Sequence, residues 1–178
     1  MQFHERRRTA GFTLIELMIV VSIVGLLSSV AIPNYMRFQM KTKSTEAKTS
    51  LAAIRTAEES YFSEYGRYAP ATPNPVEIPG SSKTTFSPAN VGFQRLGFSP
   101  EGTVYFSYAV AVPVAANASG FSADAGADLD SNGIYQYWAF VKESSDGTRT
   151  PALVGCDVTG VVLEEVTPCT PQSGQSVF

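Results

Sequence analysis

From Phe12 to Ile32 the chain runs for 21 residues with Glu16 as its only charge. At about 1.5 Å of rise per residue, a helix of that length covers the ~30 Å hydrocarbon core of a bilayer. Ahead of it stand eleven residues, MQFHERRRTAG, with Arg6, Arg7 and Arg8 and no apolar stretch of their own. A secretory signal carries its small-residue cleavage site after the hydrophobic region. Here the small-residue junction, Gly11, lies before it, so cleavage leaves the hydrophobic segment on the mature chain. The arginine cluster stays on the cytoplasmic side and sends the C-terminus outward.

The core GFTLIELMIVVSIVGLL, within a stretch from Arg6 to about Tyr68, resembles the N-terminus of type IV pilins and of their relatives, the type II secretion pseudopilins. The resemblance implies that a membrane prepilin peptidase cuts between Gly11 and Phe12 and methylates the new amino terminus. The mature chain then keeps 167 of the 178 residues.

A carboxylate inside the bilayer costs on the order of 2.5–3.5 kcal/mol on insertion scales, so Glu16 calls for a partner. One reading places it a turn into the helix, where the macrodipole and snorkelling tolerate it. The other, implied by the resemblance, pairs it with the Phe12 amine of a neighbouring subunit. That pair sets axial register, both groups being unsatisfied until subunits meet in lipid. Further on, Gly25, Ser28, Ser29 and Pro33 interrupt the helix, since proline removes a backbone donor and crowds the Ser29 carbonyl. By resemblance, Gly25–Pro33 loses helix inside an assembled filament; a single kinked membrane helix is the alternative.

Past Pro33 the pattern turns amphipathic. Ala47, Leu51, Ile54, Ala57, Tyr61 and Tyr65 recur at steps of three or four and define one face, with Glu46, Lys48, Arg55, Glu58 and Glu59 largely elsewhere. One helix from Phe12 to about Tyr65, roughly 80 Å long, is expected to pack its second half on a globular domain and to stop at Gly66. Residues 66–103, rich in proline, read as an ordered irregular loop. Val104, Phe106, Tyr108, Val110 and Val112 alternate as a half-buried strand. Phe121–Ala127 and Ile134–Val141 form two more strands around a tight turn at Asn132-Gly133, with weaker strand signals at Leu153–Val154 and Val161–Val166. The fold class is α+β, an antiparallel sheet packed on the long helix. Its segments are the leader 1–11, the apolar helix 12–32, the amphipathic helix 33–65 and the globular domain 66–178.

The formal charge is −3; removing the leader's three arginines and Glu5 leaves 10 basic and 15 acidic residues, or −5. That balance argues against stable nucleic-acid binding. The local basic group Arg37, Lys41, Lys43 and Lys48 suits lipid headgroups or acidic groups of adjacent subunits. Cys156 and Cys169 fall in the exported part, where an oxidising compartment permits a disulfide; it would resemble the C-terminal disulfide loop of type IV pilins.

Asp124, Asp128, Asp130 and Asn132 include the opening of a calcium loop, Asp-x-Asp-x-Asn-Gly, but Ala139 stands where an EF-hand needs its glutamate. An Asx-rich turn is the competing reading, and no other cofactor is implied. Enzymatic chemistry is poorly supplied. His4, the only histidine, leaves with the leader, and no phosphate-binding Gly-Lys-Ser/Thr motif occurs.

The resemblance therefore implies a non-enzymatic structural subunit. It is held in the inner membrane by one span with a periplasmic C-terminal domain, then polymerised into an extracellular type IV pilus. The implied partners are prepilin peptidase, copies of itself, minor pilins, membrane lipid, and an assembly platform with its ATPase. Such filaments serve twitching motility, adhesion or DNA uptake. A type II secretion pseudopilin is the second reading. An aromatic-based conductive filament, drawing on Tyr35, Phe38, Tyr61, Phe62, Tyr65 and Tyr68, is the third.

Overall fold

A continuous apolar run, then apolar residues at steps of three and four, then alternation of two lead to one long helix followed by a small antiparallel sheet. The computed structural model describes residues 11–113 and 119–169. The leader ahead of Gly11, with its arginines and His4, lies outside the described residues. Helix α1 spans Leu14–Tyr65, and the chain divides into two units, Met1–Phe38 and Gln39–Phe178.

The first unit is an apolar stretch of helix. From Phe12 to Phe38 every large hydrophobic side chain is 50–87% exposed. The break expected at Gly25 and Pro33 is absent from the single chain, because α1 is helical through both residues. Proline costs one helical hydrogen bond and a local clash, and the bonds of the flanking turns carry the helix across that gap.

In the second unit, α1 buries Ser44, Ala47, Leu51, Ile54 and Glu58. This corrects the expected face: Tyr65 is 55% exposed and Tyr61 half-buried, while Glu58 continues the buried row at steps of three and four. Gly66 ends the helix as expected, at φ +68, its N–H donating to the Phe62 carbonyl at 2.8 Å. That left-handed conformation suits glycine.

Strands β1 (Ala71–Asn74), β4 (Ser107–Ala111), β5 (Phe121–Ala127), β6 (Gln136–Lys142) and β7 (Thr167–Pro168) form one antiparallel sheet in the order β1-β4-β5-β6-β7. Short strands β2 (Thr84–Thr85) and β3 (Thr103–Val104) pair separately, and helix α2 covers Val91–Leu96. The stretch 66–103 is thus more regular than its prolines suggest. Asn90 caps α2 by accepting from the Gly92 and Phe93 amides, a local signal that composition alone hides.

Phe121, Ala123, Ala125 and Ala127 of β5 join the main core with Leu51, Ile54, Tyr108, Phe106 and Phe140. The opposite face is also covered. Ala139 and Val141 pack with Cys156, Val158 and Val161, so β4 and β5 are buried at every position rather than half-buried. The cover is the C-terminal segment. Asp124, on that outer face, accepts from the backbone N–H of Leu153, Val154 and Gly155 at 3.3, 2.7 and 3.1 Å. A Cβ on Gly126 would stand 2.7 Å from Val154 Cγ1, so only glycine admits the segment this closely.

Those bonds explain two corrections. Leu153–Val154 is not a strand, because its amides go to a carboxylate instead of a ladder. Val161–Val166 is irregular, following a 3₁₀ turn at Val158–Gly160, with Glu164 at φ +59 donating to the Val141 carbonyl. The β5–β6 connection is likewise wider than a two-residue turn. It runs from Asp128 to Tyr135, with Ser131 and Gly133 both at positive φ. Cys156 and Cys169 form a disulfide with a Cα–Cα distance of 5.6 Å.

Glu58 is fully buried. Its Oε2 accepts from the Ala69 amide at 3.0 Å, and its Oε1 has no hydrogen-bond partner. Burial, opposed by the Ala69 bond, pushes its pKa up to about 7. The folded domain then holds a proton that the unfolded chain releases near pH 4.5. Stability should fall as pH rises from about 4.5 to 7, by on the order of 3 kcal/mol, and level off above. Urea unfolding of the wild type and of Glu58→Gln across that range checks this, and the variant should lack the slope.

Reduction, or Cys156→Ser, should destabilise the domain by roughly 3 kcal/mol, from loop closure. Denaturant titration of the protein with and without reductant measures that loss.

Candidate functional site

At the helix start, Thr13 is the residue before α1, and its carbonyl accepts the Leu17 amide at 3.3 Å. The Glu16 amide donates to Thr13 Oγ1 at 3.3 Å. In return Glu16 Oε2 accepts from the Thr13 amide at 2.9 Å and from its hydroxyl at 2.6 Å. These reciprocal bonds are a capping box, which satisfies helix donors that lack intrahelical partners.

This corrects the expectation that Glu16 is unsatisfied until subunits meet. One carboxylate oxygen is held within its own chain, while Oε1 accepts no hydrogen bond among the described residues. Thr13 was missed in the sequence, although Thr13-Leu14-Ile15-Glu16 has the spacing of a capping box. The arrangement fixes the rotamer of a negative charge at the positive end of a helix dipole and leaves one oxygen for an outside donor.

Gly11 and Phe12 precede the helix as exposed, non-helical chain, with Phe12 87% exposed. A Cβ on Gly11 would meet nothing within 4 Å, and the same holds for Gly25. The fold of the single chain therefore does not require glycine at either position. At Gly25 it even costs on the order of 1 kcal/mol of helix propensity.

The other candidate residues separate. Asp124 belongs to the sheet clamp and not to a calcium set; burial pushes its pKa up, against the amide bonds from Val154, Leu153 and Gly155. Asp128 accepts from the Asn132 and Gly133 amides. Asp130 accepts from the Asn132 amide and side chain, and Asn132 Oδ1 from the Ile134 amide. These are Asx-turn bonds. Among the described residues no group of three or more histidine, cysteine, aspartate or glutamate side chains is placed to hold a metal. An apolar cleft framed by Phe86, Pro88, Phe93 and Phe98 contains no titratable side chain. The aromatics near the end of α1 pack together: Tyr61 stacks on Tyr65, and Phe62 on Tyr68, at 4.5 and 4.6 Å between centroids.

A family profile described as "Prokaryotic N-terminal methylation motif" matches residues 6–32, the stretch holding the junction, the capping box and the exposed apolar helix. Over about a third of its length the chain is similar to type IV pilins. It is 56% identical over 68 residues to "Type IV major pilin protein PilA" of Myxococcus xanthus (strain DK1622), covering 38% of this chain and 30% of that protein. A "Fimbrial protein" of Pseudomonas aeruginosa is 50% identical over 54 residues, 30% of this chain and 35% of the relative. "Type II secretion system core protein G" of Aeromonas hydrophila is 36% identical over 64 residues, 36% of this chain and 45% of that protein. The matches thus span 30% to 45% of these relatives.

Thr13→Ala should remove the cap at a cost of about 1 kcal/mol, and Thr13→Ser should keep it. Amide exchange at Leu14–Leu17 of the full chain in detergent micelles should accelerate several-fold in the first variant only.

Proposed function

We propose that the chain is the structural subunit of a type IV pilus. The observation that carries this reading is the exposed apolar helix from Phe12 to Phe38, which begins directly after an accessible small-residue junction. A helix apolar all round belongs in lipid or in the core of an assembly. The precursor sits in the inner membrane by this one span, with Arg6, Arg7 and Arg8 cytoplasmic and the disulfide-bonded domain periplasmic. Prepilin peptidase cuts after Gly11, freeing an amine on Phe12 that is then methylated.

Polymerisation moves the apolar helix from lipid to a bundle of equivalent helices. There the free Oε1 of Glu16 accepts from the Phe12 amine of a neighbouring copy, a charge-assisted bond of the stronger kind. Loss of helix around Gly25 and Pro33, absent from the single chain, belongs to that assembled state. Work is supplied by an assembly platform and its ATPase, with minor pilins as further partners. The product is an extracellular filament for twitching motility, adhesion or DNA uptake, and the role is structural rather than enzymatic.

The similarity to a type II secretion core protein favours a second reading, a periplasmic pseudopilus. The C-terminal disulfide loop weighs towards the pilus. Conduction through aromatics is a weaker third reading, because Tyr61, Phe62, Tyr65 and Tyr68 pair within the chain as packing.

Electron microscopy of surface filaments, with mass spectrometry of the sheared material, tests the proposal. Long filaments should contain this chain beginning at methylated Phe12, and a bulky substitution of Gly11 should leave an uncleaved membrane precursor. Glu16→Val should insert and be cleaved normally, because an intramembrane charge has been removed, yet yield few filaments. Normal filament amounts from Glu16→Val would exclude the ion pair, and filaments that retain the leader would exclude the processing scheme.

A further inference from the structure

Lys41, Lys48 and Arg55 recur at seven-residue steps along α1 and share one face of the helix. All three are exposed. Lys48 Nζ lies 4.5 Å from the Trp138 ring centroid and the Arg55 guanidinium 5.1 Å from that of Phe140, so both cations rest on aromatic rings of β6 with their charges outward. The ion pairs of the described residues are Lys83–Glu46, Lys142–Glu59 and Arg149–Glu143. Among the described residues none of the three stripe residues has a carboxylate partner.

The opposite charge is concentrated elsewhere in the same unit. Between Cys156 and Cys169 stand Asp157, Glu164 and Glu165 and no basic residue. All three are exposed and outside every ion pair of the described residues. The ring carrying them is rigid, closed by the disulfide and tied through Arg149 Nη1 to the carbonyls of Val158, Thr159 and Val161. Hydrogen bonds from Thr159 hold Asp157 below the usual carboxylate range and thus charged.

We infer that the Lys41–Lys48–Arg55 stripe is a docking surface for a second copy of this chain, receiving the acidic disulfide loop of its neighbour. The inference rests on the polymer reading above and deepens it. A lipid surface fits less well. The stripe runs roughly 21 Å along a helix that leaves the bilayer, whereas each headgroup layer is only about 5–8 Å deep. A surface with uncompensated cations at one place and uncompensated carboxylates at another is complementary to itself, which fixes register and rejects wrong orientations.

The test uses the full chain in cells, as a mixture of ordinary and ¹⁵N-labelled copies. A carbodiimide, which joins an amine directly to a carboxylate, is followed by mass spectrometry. Mixed-isotope cross-links from Lys41 or Lys48 to Asp157, Glu164 or Glu165 are expected. In parallel, Lys48→Glu with Arg55→Glu should lower the yield of sheared filaments at least about tenfold by forcing like charges together. Adding Glu164→Lys and Glu165→Lys to the same chain should restore it.

Wild-type filaments without those cross-links, or a charge-reversed chain that assembles at the wild-type level, would overturn the inference and leave the pilus reading standing. Cross-links found in cells that make no filaments would support the interface and count against the pilus. Absence of both cross-links and filaments would overturn both.

Discussion

The apolar surface presented by α1 from Phe12 to Ile32 is the constraint on which the remaining features depend. Burial gains about 25 cal/mol for each Å² of apolar surface removed from water, and in this unit the helix has no second layer to pack against. A surface apolar all round is suited to cover by lipid or by other apolar helices. Both environments reject free backbone donors and lone charges. The capping box answers that demand locally, because Thr13 and Glu16 satisfy each other before any neighbour arrives. A carboxylate arranged in this way is held at the helix start and still keeps one oxygen for an outside donor.

The second unit rests on a different principle, the internal carboxylate used as a fastener. Asp124 draws three consecutive amides onto the outer face of the sheet and Glu58 holds the chain where it turns back from α1. Glu46 accepts from the Tyr105 amide and the Tyr108 hydroxyl, tying the helix to the sheet region. An unpaired buried donor or acceptor costs about 1–3 kcal/mol, so each acid makes the other ends of its bonds expensive to release. The disulfide then closes the segment that Asp124 has already seated. These contacts account for a sheet of small residues, with alanines on the helix side of β5 and Asp124 and Gly126 on the other, staying ordered on both faces.

Periodicity made the large elements legible. The 21-residue apolar run, the row Ala47, Leu51 and Ile54, the β5 strand and the stop at Gly66 all stand where spacing placed them. The paired cysteines are joined as the family resemblance implied. What spacing missed were positions where a polar side chain overrides its usual place. Glu58 reads as a surface residue by type and is buried by phase. Leu153 and Val154 read as strand by type, but a distant aspartate takes their amides. Asp124 looked like part of an acidic turn because it is near in sequence, although its carboxylate is taken up by the amides of Leu153, Val154 and Gly155. The capping box was readable, since it is local, but the membrane cost of Glu16 drew attention away from its neighbour three residues earlier.

Glycine completes the physical case for assembly. Gly66 answers to a positive φ and Gly126 to a close neighbour, both internal causes. Gly11 and Gly25 answer to neither, as each would accept a Cβ without contact. In a helix interior such a residue sacrifices propensity, and in a membrane environment small residues allow helices to approach closely. The same reasoning applies to Pro33, which the single chain carries as an uncompensated defect in a continuous helix. A lone helix has no use for either residue; in the polymer proposed above, Gly25 would stand where backbones approach and Pro33 where a helix yields to its neighbours.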